Sequence, residues 1–395
     1  MNTRITGLAL ALAIGLSPSL LPTPAAAEFL IVGIDRKFAF DDQGRRLTMA
    51  PGRDELAVFD LADPEHPRPV GSVSLENSIV GPPTNLAVTP DQHYALVANS
   101  LHSEALPNGA GYKPAPADEL FVVDLRASPP KIVDTIKVGA QPSGIAINRA
   151  GTLALVANRV GRSISVLAID GANVKATDTV AMDGEMASVA ITPDGGRAVA
   201  VKFDTHKAAL LSIDAAGHVR YDGRDLTVGL WPYSVSITPD GATALVGNTG
   251  NKATSDGNAD TISVIDLAAT PPRTVDHITV GDAPEGVVAS PRGRLAIATI
   301  LQGSYDAPKD AWYRHDNGRA VALRIVDGRV SLLGSVDVGA FPEGVAFSED
   351  GRFVYVGNFA SNTISVLRVE RDGLVDTHDD VALSGPPASL RVGSQ

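Results

Sequence analysis

The sequence predicts an all-β fold, a seven-bladed β-propeller made of four-stranded antiparallel blades. Three observations lead to this prediction: a recurring hairpin motif, a set of strands after each motif, and a late segment that repeats an early one. The segment at 81–88 reads GPPTNLAV, and the segment at 385–392 reads GPPASLRV. A repeat array that ends on the first strand of a repeat closes when that strand joins the N-terminal sheet.

The recurring motif is a tight turn built from proline, aspartate and glycine, or from close variants of them. Proline presets φ at the first corner, aspartate bonds its own backbone, and glycine takes the left-handed conformation. The turns are separated by roughly 45 to 60 residues, a period typical of propellers and solenoids. They occupy residues 88–92, 147–151, 191–195, 237–241, 289–293 and 347–351.

Each turn is followed by three predicted strands whose polarity rises along the chain. A short apolar strand such as 154–158 precedes an alternating strand such as 164–169, and a more polar strand such as 132–138 completes a repeat. With the strand before the turn, each blade has four strands, named a to d from the axis outward. Charged residues suit the outermost strand because they block edge-to-edge pairing.

The first blade is predicted to hold only strands b, c and d of its own, at 29–34, 55–61 and 70–75. The segment at 388–392 supplies its missing strand a, so the ring closes where the two ends of the chain meet. This blade and the six turn-bearing repeats give seven blades. We expect one propeller domain over residues 28–395.

Residues 1–27 have the pattern of a secretory signal peptide. Arg4 provides the positive charge, residues 5–21 an apolar stretch, and the alanines at 25–27 a cleavage site. Serine and proline at 17–19 interrupt the apolar stretch and leave it shorter than the roughly 20 residues of a membrane span. We therefore expect export to the periplasm, no membrane span, and a monomer.

Composition excludes several classes of function. The chain has no cysteine and a formal net charge of −12. The lack of cysteine rules out disulfides, thiolate catalysis and covalently attached c-type haem. An acidic chain without a basic cluster is not expected to bind nucleic acid. No G-x-S-x-G, H-E-x-x-H or phosphate-binding glycine-rich motif occurs, which disfavours serine hydrolysis and nucleotide chemistry.

The strings at 96–99, 155–158 and 355–358 read LVAN, LVAN and YVGN, and each is followed by a strand rich in isoleucine or valine and serine. They resemble the YVTN-type seven-bladed β-propeller repeats, which are related to the lactonase-like propellers. The resemblance covers the whole chain after residue 27. The resemblance implies the propeller fold. The family that has these repeats includes lactone hydrolases, cell-surface proteins and periplasmic proteins.

Long connections between strands b and c indicate where a site lies. In a four-stranded blade, the b-to-c and d-to-a connections emerge on the same face. The long b-to-c connections are at 35–54, 100–118, 249–260 and 301–318. Connections of this length are usually lids or binding loops, so they predict a covered central funnel. The alternative is that some, above all 249–260, are solvated decorations.

The d-to-a turns place side chains around the axis of the ring. These ring positions are Asn85, Ser143, Ser188, Tyr233, Glu285, Glu343 and Ser389. Glu285 and Glu343 come from the twin strings APEGV and FPEGV, so equivalent carboxylates occupy neighbouring blades. Such a pair can act as acid and base, or hold a cation, if repulsion raises one pKa. The alternative is that each carboxylate caps its own turn.

Cationic and imidazole side chains supply further ligand-binding candidates. Lys202 stands where four other blades have asparagine, and it forms either a structural ion pair or a contact with an anionic ligand. Arg159 is a second candidate for holding a carboxylate. His102, His206 and His315 come from blades that are not neighbours. We therefore predict no metal site and leave the identity of any noncovalent cofactor open, while one histidine remains a candidate for ligand contact or proton transfer.

Both tryptophans, Trp231 and Trp312, fall on the predicted mouth of the funnel. Their rings suit stacking against a sugar, a ring cofactor or an apolar side chain of a partner. Alternatively, Trp231 plugs the axial opening.

The leading functional hypothesis is an exported propeller that binds a small molecule or a periplasmic protein through its loop-rich face. The rival is a lactonase-like hydrolase or isomerase acting on a carbohydrate-derived or aromatic acid lactone. In that case Glu285 or Glu343 and a histidine serve as acid and base, while Lys202 or Arg159 holds a carboxylate. A third hypothesis is an accessory docking protein of a periplasmic redox system.

Overall fold

The computed structural model describes residue 1 and residues 28–78, 80–252 and 254–393. The predicted signal segment therefore lies, apart from Met1, outside the described residues. The described chain forms seven blades of antiparallel strands, which confirms the predicted fold class. No helix in these described ranges is long and apolar enough to cross a membrane.

The strands follow one another outward within each blade. Blades 1 and 2 contain β1 (Phe29–Ile34), β2 (Phe38–Phe40), β3 (Arg46–Thr48), β4 (Glu55–Asp60), β5 (Arg68–Ser74), β6 (Leu86–Val88), β7 (Tyr94–Ala105), β8 (Tyr112–Asp124) and β9 (Lys131–Lys137), with a 3₁₀ turn at Pro107–Gly109. Blades 3 and 4 contain β10 (Pro142–Ile147), β11 (Leu153–Asn158), β12 (Ser163–Asp170), β13 (Asn173–Ala181), β14 (Met186–Ile191), β15 (Arg197–Lys202), β16 (Lys207–Ile213) and β17 (Val219–Thr227).

The remaining blades repeat the pattern. Blades 5 and 6 contain β18 (Pro232–Ile237), β19 (Thr243–Asn248), β20 (Asp260–Asp266), β21 (Arg273–Gly281), β22 (Pro284–Ala289), β23 (Leu295–Ile300), β24 (Arg319–Val326) and β25 (Arg329–Asp337). Blade 7 contains β26 (Pro342–Phe347), β27 (Phe353–Asn358), β28 (Thr363–Glu370), β29 (Gly373–Asp376) and β30 (Val381–Ala382). Its outermost strand is split, because β29 and β30 both pair with β28.

The last strand, β31 (Pro387–Val392), completes blade 1 as predicted. It pairs antiparallel with β1, with Leu390 opposite Val32 and Val392 opposite Leu30. Leu30, Leu390 and Tyr355 then share one buried apolar cluster between blades 1 and 7. Burying a leucine of this kind contributes about 2 kcal/mol. The contact that closes the ring is thus part of the hydrophobic core.

The hairpin turns carry the predicted chemistry. The Thr192 hydroxyl donates a hydrogen bond of 2.5 Å to Asp194, which also accepts the Gly196 N–H at 3.1 Å. Gly195 between them has a φ of +72°. These turns end strand a on the face opposite the long connections, and this leaves the variable face free to build a site.

Two of the four long connections contain regular hairpins. In blade 1, β2 and β3 pair with each other as a separate two-stranded sheet. In blade 2, β7 and β8 extend beyond the blade and stay paired as far as Ala105 and Tyr112. Regular backbone pairing holds both connections in place above the ring.

Candidate functional site

A funnel of about 590 Å³ opens on the face of the long connections. This volume lies in the range of small-molecule sites. The side chains that give it chemical character are Phe40, Arg46, Gln141, Arg159, Glu185, Phe203, Tyr233, Lys252, Glu285, Phe341 and Glu343. They come from five blades and from the β2–β3 hairpin, so only the closed ring assembles them.

Tyr233 forms the floor of the funnel. It lies at the start of β18 in blade 5, and its hydroxyl accepts a hydrogen bond of 3.1 Å from the N–H of Gly81, just before blade 2. Burial raises the pKa of Tyr233, so the hydroxyl stays neutral. Tyr233 therefore closes the axis. Trp231 does not, because it packs at the side against Phe203, at 4.9 Å between ring centres.

Glu285 and Glu343 lie beside Tyr233 on β22 and β26, and each is only 2% exposed. The Thr299 hydroxyl ties their turns together, since it accepts the Gly286 N–H at 2.8 Å and donates to the Glu343 carbonyl at 2.9 Å. Neighbouring blades are thus held at a defined separation.

The two carboxyl groups have perturbed acidity. Burial raises the pKa of Glu285 well above its ordinary value of 4.5, and the charge of Asp306 raises it further, while Arg159 lowers it. Burial also raises the pKa of Glu343, and the nearby Glu285 charge adds to the shift. Among the described residues, Glu343 Oε2 has no hydrogen-bond partner. This buried oxygen therefore makes no hydrogen bond to its own turn.

Two arginines face this acidic floor. The Arg159 guanidinium lies 3.9 Å from the centre of the Phe203 ring, and its Nε lies 3.4 Å from a Glu185 oxygen. Arg46 enters from the β2–β3 hairpin and is open to water in the funnel. The surrounding protein limits its hydration and lowers the pKa of Arg46, and the positive charge of Arg159 contributes. The two cations thus share one volume, which suits an anionic group.

The β2–β3 hairpin is fixed as a roof over the funnel. At its tip, Gly44 has a φ of +68°, and a Cβ there would lie 1.9 Å from the Asp306 carbonyl oxygen. The Lys309 N–H donates a 3.0 Å hydrogen bond to the Asp42 carbonyl of the same tip. The Phe40 ring packs against Phe341 at 5.1 Å between centres. The hairpin therefore bridges from blade 1 to the blade 6 connection.

Four of the predicted site residues reach the funnel, namely Arg159, Tyr233, Glu285 and Glu343. The others lie elsewhere, and these are Asn85, His102, Lys202, His206, Trp231 and His315. Lys202 is fully buried inside blade 4, where its Nζ bonds Asp225 at 2.8 Å and also contacts Asp183. Burial alone would lower the pKa of Lys202, but these hydrogen bonds outweigh it and raise the pKa. Of the two alternatives for Lys202, the structural ion pair is correct.

The three histidines do not converge. His102 Nδ1 lies 3.0 Å from a Glu76 oxygen on the side of blade 2. His206 Nδ1 accepts the Trp231 N–H at 3.0 Å, which supports the Trp231 turn. His315 is exposed on the blade 6 connection. In the part of the chain that the structure describes, no group of three or more histidine, aspartate or glutamate residues is placed to hold a metal ion.

The predicted ring positions mix two registers. Strand pairing places Ser188 and Ser389 one residue further along strand a than Tyr233 and the two glutamates. Asn85 shares the later position, and its Nδ2 donates to the Ala98 carbonyl within blade 2 at 3.3 Å. Because side chains alternate along a strand, a shift of one residue turns them to the other face. These side chains therefore pack between blades and do not line the funnel.

Sequence reasoning missed Arg46, Glu185, Phe203, Phe40 and Lys252. The only signal for Arg46 and Phe40 was the length of the blade 1 connection. Phe203 directly follows Lys202 and belongs to a buried run, so it resembled core. Trp312 is 83% exposed and packs edge-on against Tyr313, and it is not among the residues that line the funnel.

No protein-family model and no curated protein sequence matches the chain. Solved structures do match it along nearly its whole length. A candidate 6-phosphogluconolactonase of Bacteroides fragilis has 16% sequence identity and a TM-score of 0.71, covering 94% of this chain and 99% of that chain. A similar candidate from Bacteroides uniformis has 15% identity and a TM-score of 0.69, covering 93% and 99%.

A periplasmic gluconolactonase of Pseudomonas aeruginosa has 18% identity and a TM-score of 0.67, covering 93% of this chain and 99% of that chain. At these identities the likeness concerns the fold. The chain is a seven-bladed β-propeller, and three of the structures similar to it are described as lactonases or candidate lactonases.

Proposed function

We propose that the protein hydrolyses the lactone of a carbohydrate-derived acid in the funnel. The observation that carries the proposal is the pair of buried carboxyls, Glu285 and Glu343, facing the cations of Arg46 and Arg159. Lactone hydrolysis needs a base, an acid and a cationic group that stabilises the oxyanion intermediate, and this set of side chains contains all three. The descriptions of the structural neighbours agree with it.

The chemistry follows from the raised pKa values of Glu285 and Glu343. One carboxyl of the pair is ionised and takes a proton from a water molecule, whose oxygen attacks the lactone carbonyl carbon. The tetrahedral oxyanion that forms is stabilised by the arginine side of the funnel. The ring C–O bond then breaks, and the protonated carboxyl gives its proton to the leaving alkoxide oxygen. The product is an open-chain hydroxy acid.

The arginines also define the substrate class. Arg46, Arg159 and Lys252 give one side of the funnel a positive charge, which favours a lactone carrying a carboxylate or phosphate group. Phe203 and Phe341 line the same volume. Aromatic faces pack well on the apolar side of a sugar ring. A negatively charged sugar lactone therefore matches the funnel better than a neutral aromatic one.

The test is a lactone-opening assay on the chain that starts at Glu28. Gluconolactone, 6-phosphogluconolactone and a glucarolactone are compared by acid release, and we expect the charged lactones to be preferred. Glu285→Gln and Glu343→Gln should each lower kcat/KM by roughly 100-fold or more, as expected for loss of a general acid or base. Glu370→Gln, an exposed change on the outside of blade 7, is the control. Absence of turnover on the whole panel refutes the proposal.

A binding protein is the second candidate function. It is favoured by the preformed site, in which Arg159 is already held by Glu185 and the roof hairpin is docked on blade 6. Such a protein would retain an anionic sugar without turnover. Calorimetric titration with the open-chain sugar acids distinguishes the two candidates, since strong binding combined with absent hydrolysis selects this one.

Two further expectations remain proposals. We propose export to the periplasm through the segment at 1–27, which cell fractionation tests directly. A docking role toward a periplasmic partner is supported by the exposed Trp312 ring on the blade 6 connection. Co-purification with wild-type protein and its loss with Trp312→Ala would support that role.

A further inference from the structure

A second cavity of about 440 Å³ lies on the axis at the opposite end of the innermost strands. Tyr233 and the two glutamates separate it from the funnel, because they stand at the beginning of strand a while this cavity surrounds its end. Polar and aliphatic groups share its wall, and six of the residues that line it are Ile145, Ile147, Val189, Ile191, Val235 and Ile237. The cavity is therefore a chamber with a mixed polar and aliphatic wall and its own opening beside the hairpin turns.

Three charged residues line this chamber: Arg149 and Glu349 are exposed at its rim, and Arg391 is partly buried. Arg391 lies on β31 opposite Ile31 of β1. The equivalent position in the other six blades, defined by the same strand pairing, carries a small or aliphatic residue: Ala87, Ala146, Ala190, Ser236, Val288 and Ala346. Four of these residues line the same cavity. Among these seven equivalent positions of strand a, Arg391 is thus the only charged residue.

The guanidinium of Arg391 lacks a compensating charge. Within the described residues its Nε is buried without a hydrogen-bond partner, and its Nη1 makes only a long contact of 3.5 Å with the Leu390 carbonyl. Burial by itself lowers the pKa of Arg391 to about 10, so the group is still charged at neutral pH. Glu349 at the rim is exposed and accepts a hydrogen bond from Gln92 at 2.5 Å.

A cation placed among aliphatic side chains without a partner is costly, unless an anion joins it. An anion that also carries an aliphatic group can contact the isoleucine and valine residues of the wall. A chamber of this volume is of the size that small ligands occupy. A carboxylate on Arg391 with a hydrocarbon tail against the isoleucines and valines makes both contacts.

We propose that this chamber binds a monocarboxylate with an aliphatic tail, with Arg391 as its carboxylate contact. The site is independent of the proposed lactone chemistry, because it uses the other end of the axis. It gives the protein a second ligand, a medium-chain fatty acid or a similar acid.

The experiment is calorimetric titration of the chain that starts at Glu28 with octanoate and with octanol. The two probes share the same hydrocarbon tail and differ in charge. Wild-type protein should therefore bind octanoate at least roughly tenfold more tightly than octanol, given the strength of charge-assisted hydrogen bonds. Arg391→Met should remove most of this preference, with folding checked by circular dichroism. Arg149→Met alters the exposed arginine at the rim of the same cavity and should have little effect.

Three results overturn the proposal: no binding of octanoate, equal affinity for both probes, or an unchanged octanoate affinity in Arg391→Met. The comparison of the two probes on wild-type protein needs no variant, so it decides even if Arg391→Met fails to fold. Glu285→Gln should leave octanoate binding unchanged. Failure at this site is thereby distinguished from failure of the lactonase proposal.

Discussion

The hydroxyl of Tyr233 accepts a hydrogen bond from the N–H of Gly81 at 3.1 Å, and this bond joins blade 5 to blade 2 across the axis. Blades that are not neighbours in the ring are rarely linked directly, since each blade packs on the two beside it. The bond gives the funnel a closed floor and divides the axial space in two.

Tyr233→Phe should lower the free energy of unfolding by about 1 to 3 kcal/mol, because it leaves the buried Gly81 N–H without an acceptor. Urea denaturation measures the change. Tyr112→Phe removes a hydroxyl from an exposed side chain and should have no measurable effect. Equal stability of the two variants would show that the cross-axis bond does not contribute.

Glu285→Gln and Glu343→Gln should change the pH dependence of stability. Burial raises the pKa of both glutamates in the folded state above 4.5, so the folded protein holds these protons more tightly than the unfolded chain. Their contribution to stability is then fully present below pH 4.5 and is lost as pH rises through the raised pKa. Glutamine does not titrate.

Each glutamine variant should therefore gain stability relative to wild type at pH 8, by about 1.4 kcal/mol per unit of pKa shift removed. The difference should disappear near pH 4. Thermal unfolding over this pH range tests it, with Glu370→Gln as an exposed control. A difference that is independent of pH would contradict the assigned direction of the pKa shifts.

Gly44→Ala should loosen the roof of the funnel while leaving the ring intact. The new Cβ would lie 1.9 Å from the Asp306 carbonyl oxygen, so the hairpin tip cannot stay docked on blade 6. We expect a KM increase of roughly tenfold, because Arg46 on the same hairpin moves away from the ligand. Gly52→Ala is the matched control, since Gly52 also has a positive φ, of +87°, and nothing within 4 Å of a Cβ.

If Gly44→Ala and Gly52→Ala behave alike, backbone strain and not docking of the tip explains the effect. The melting temperature of both variants should stay within a few degrees of wild type, as expected for changes outside the core.

Lys202→Met should destabilise the protein by about 3 kcal/mol without changing kcat/KM. It leaves Asp225 without the lysine that lies 2.8 Å away, inside blade 4 and away from the funnel. Lys207→Met is the control, because Lys207 is half-exposed and lies 3.6 Å from the same carboxylate. A selective loss of activity in Lys202→Met would return Lys202 to the list of ligand contacts.

Several features of the fold and site could be predicted because they depend on local pattern. Ring closure was visible in the repetition of GPPTNLAV as GPPASLRV, and Glu285 and Glu343 were visible as twins in two adjacent repeats. Arg46 could not be predicted as a site residue, since its place over the funnel depends on the hairpin reaching Asp306 on another blade. Lys202 was ambiguous because a residue at the end of a strand can turn toward the axis or into its blade.

The sequence by itself determined that the chain forms a closed ring of seven blades and which face carries the long connections. Turn chemistry and strand periodicity act over a few residues, so these properties can be read from neighbours along the chain. Only the tertiary structure decided which side chains meet in the funnel, and which partly buried cation lines the opposite chamber. Those outcomes depend on one-residue differences in strand register and on packing between distant segments, which no local pattern records.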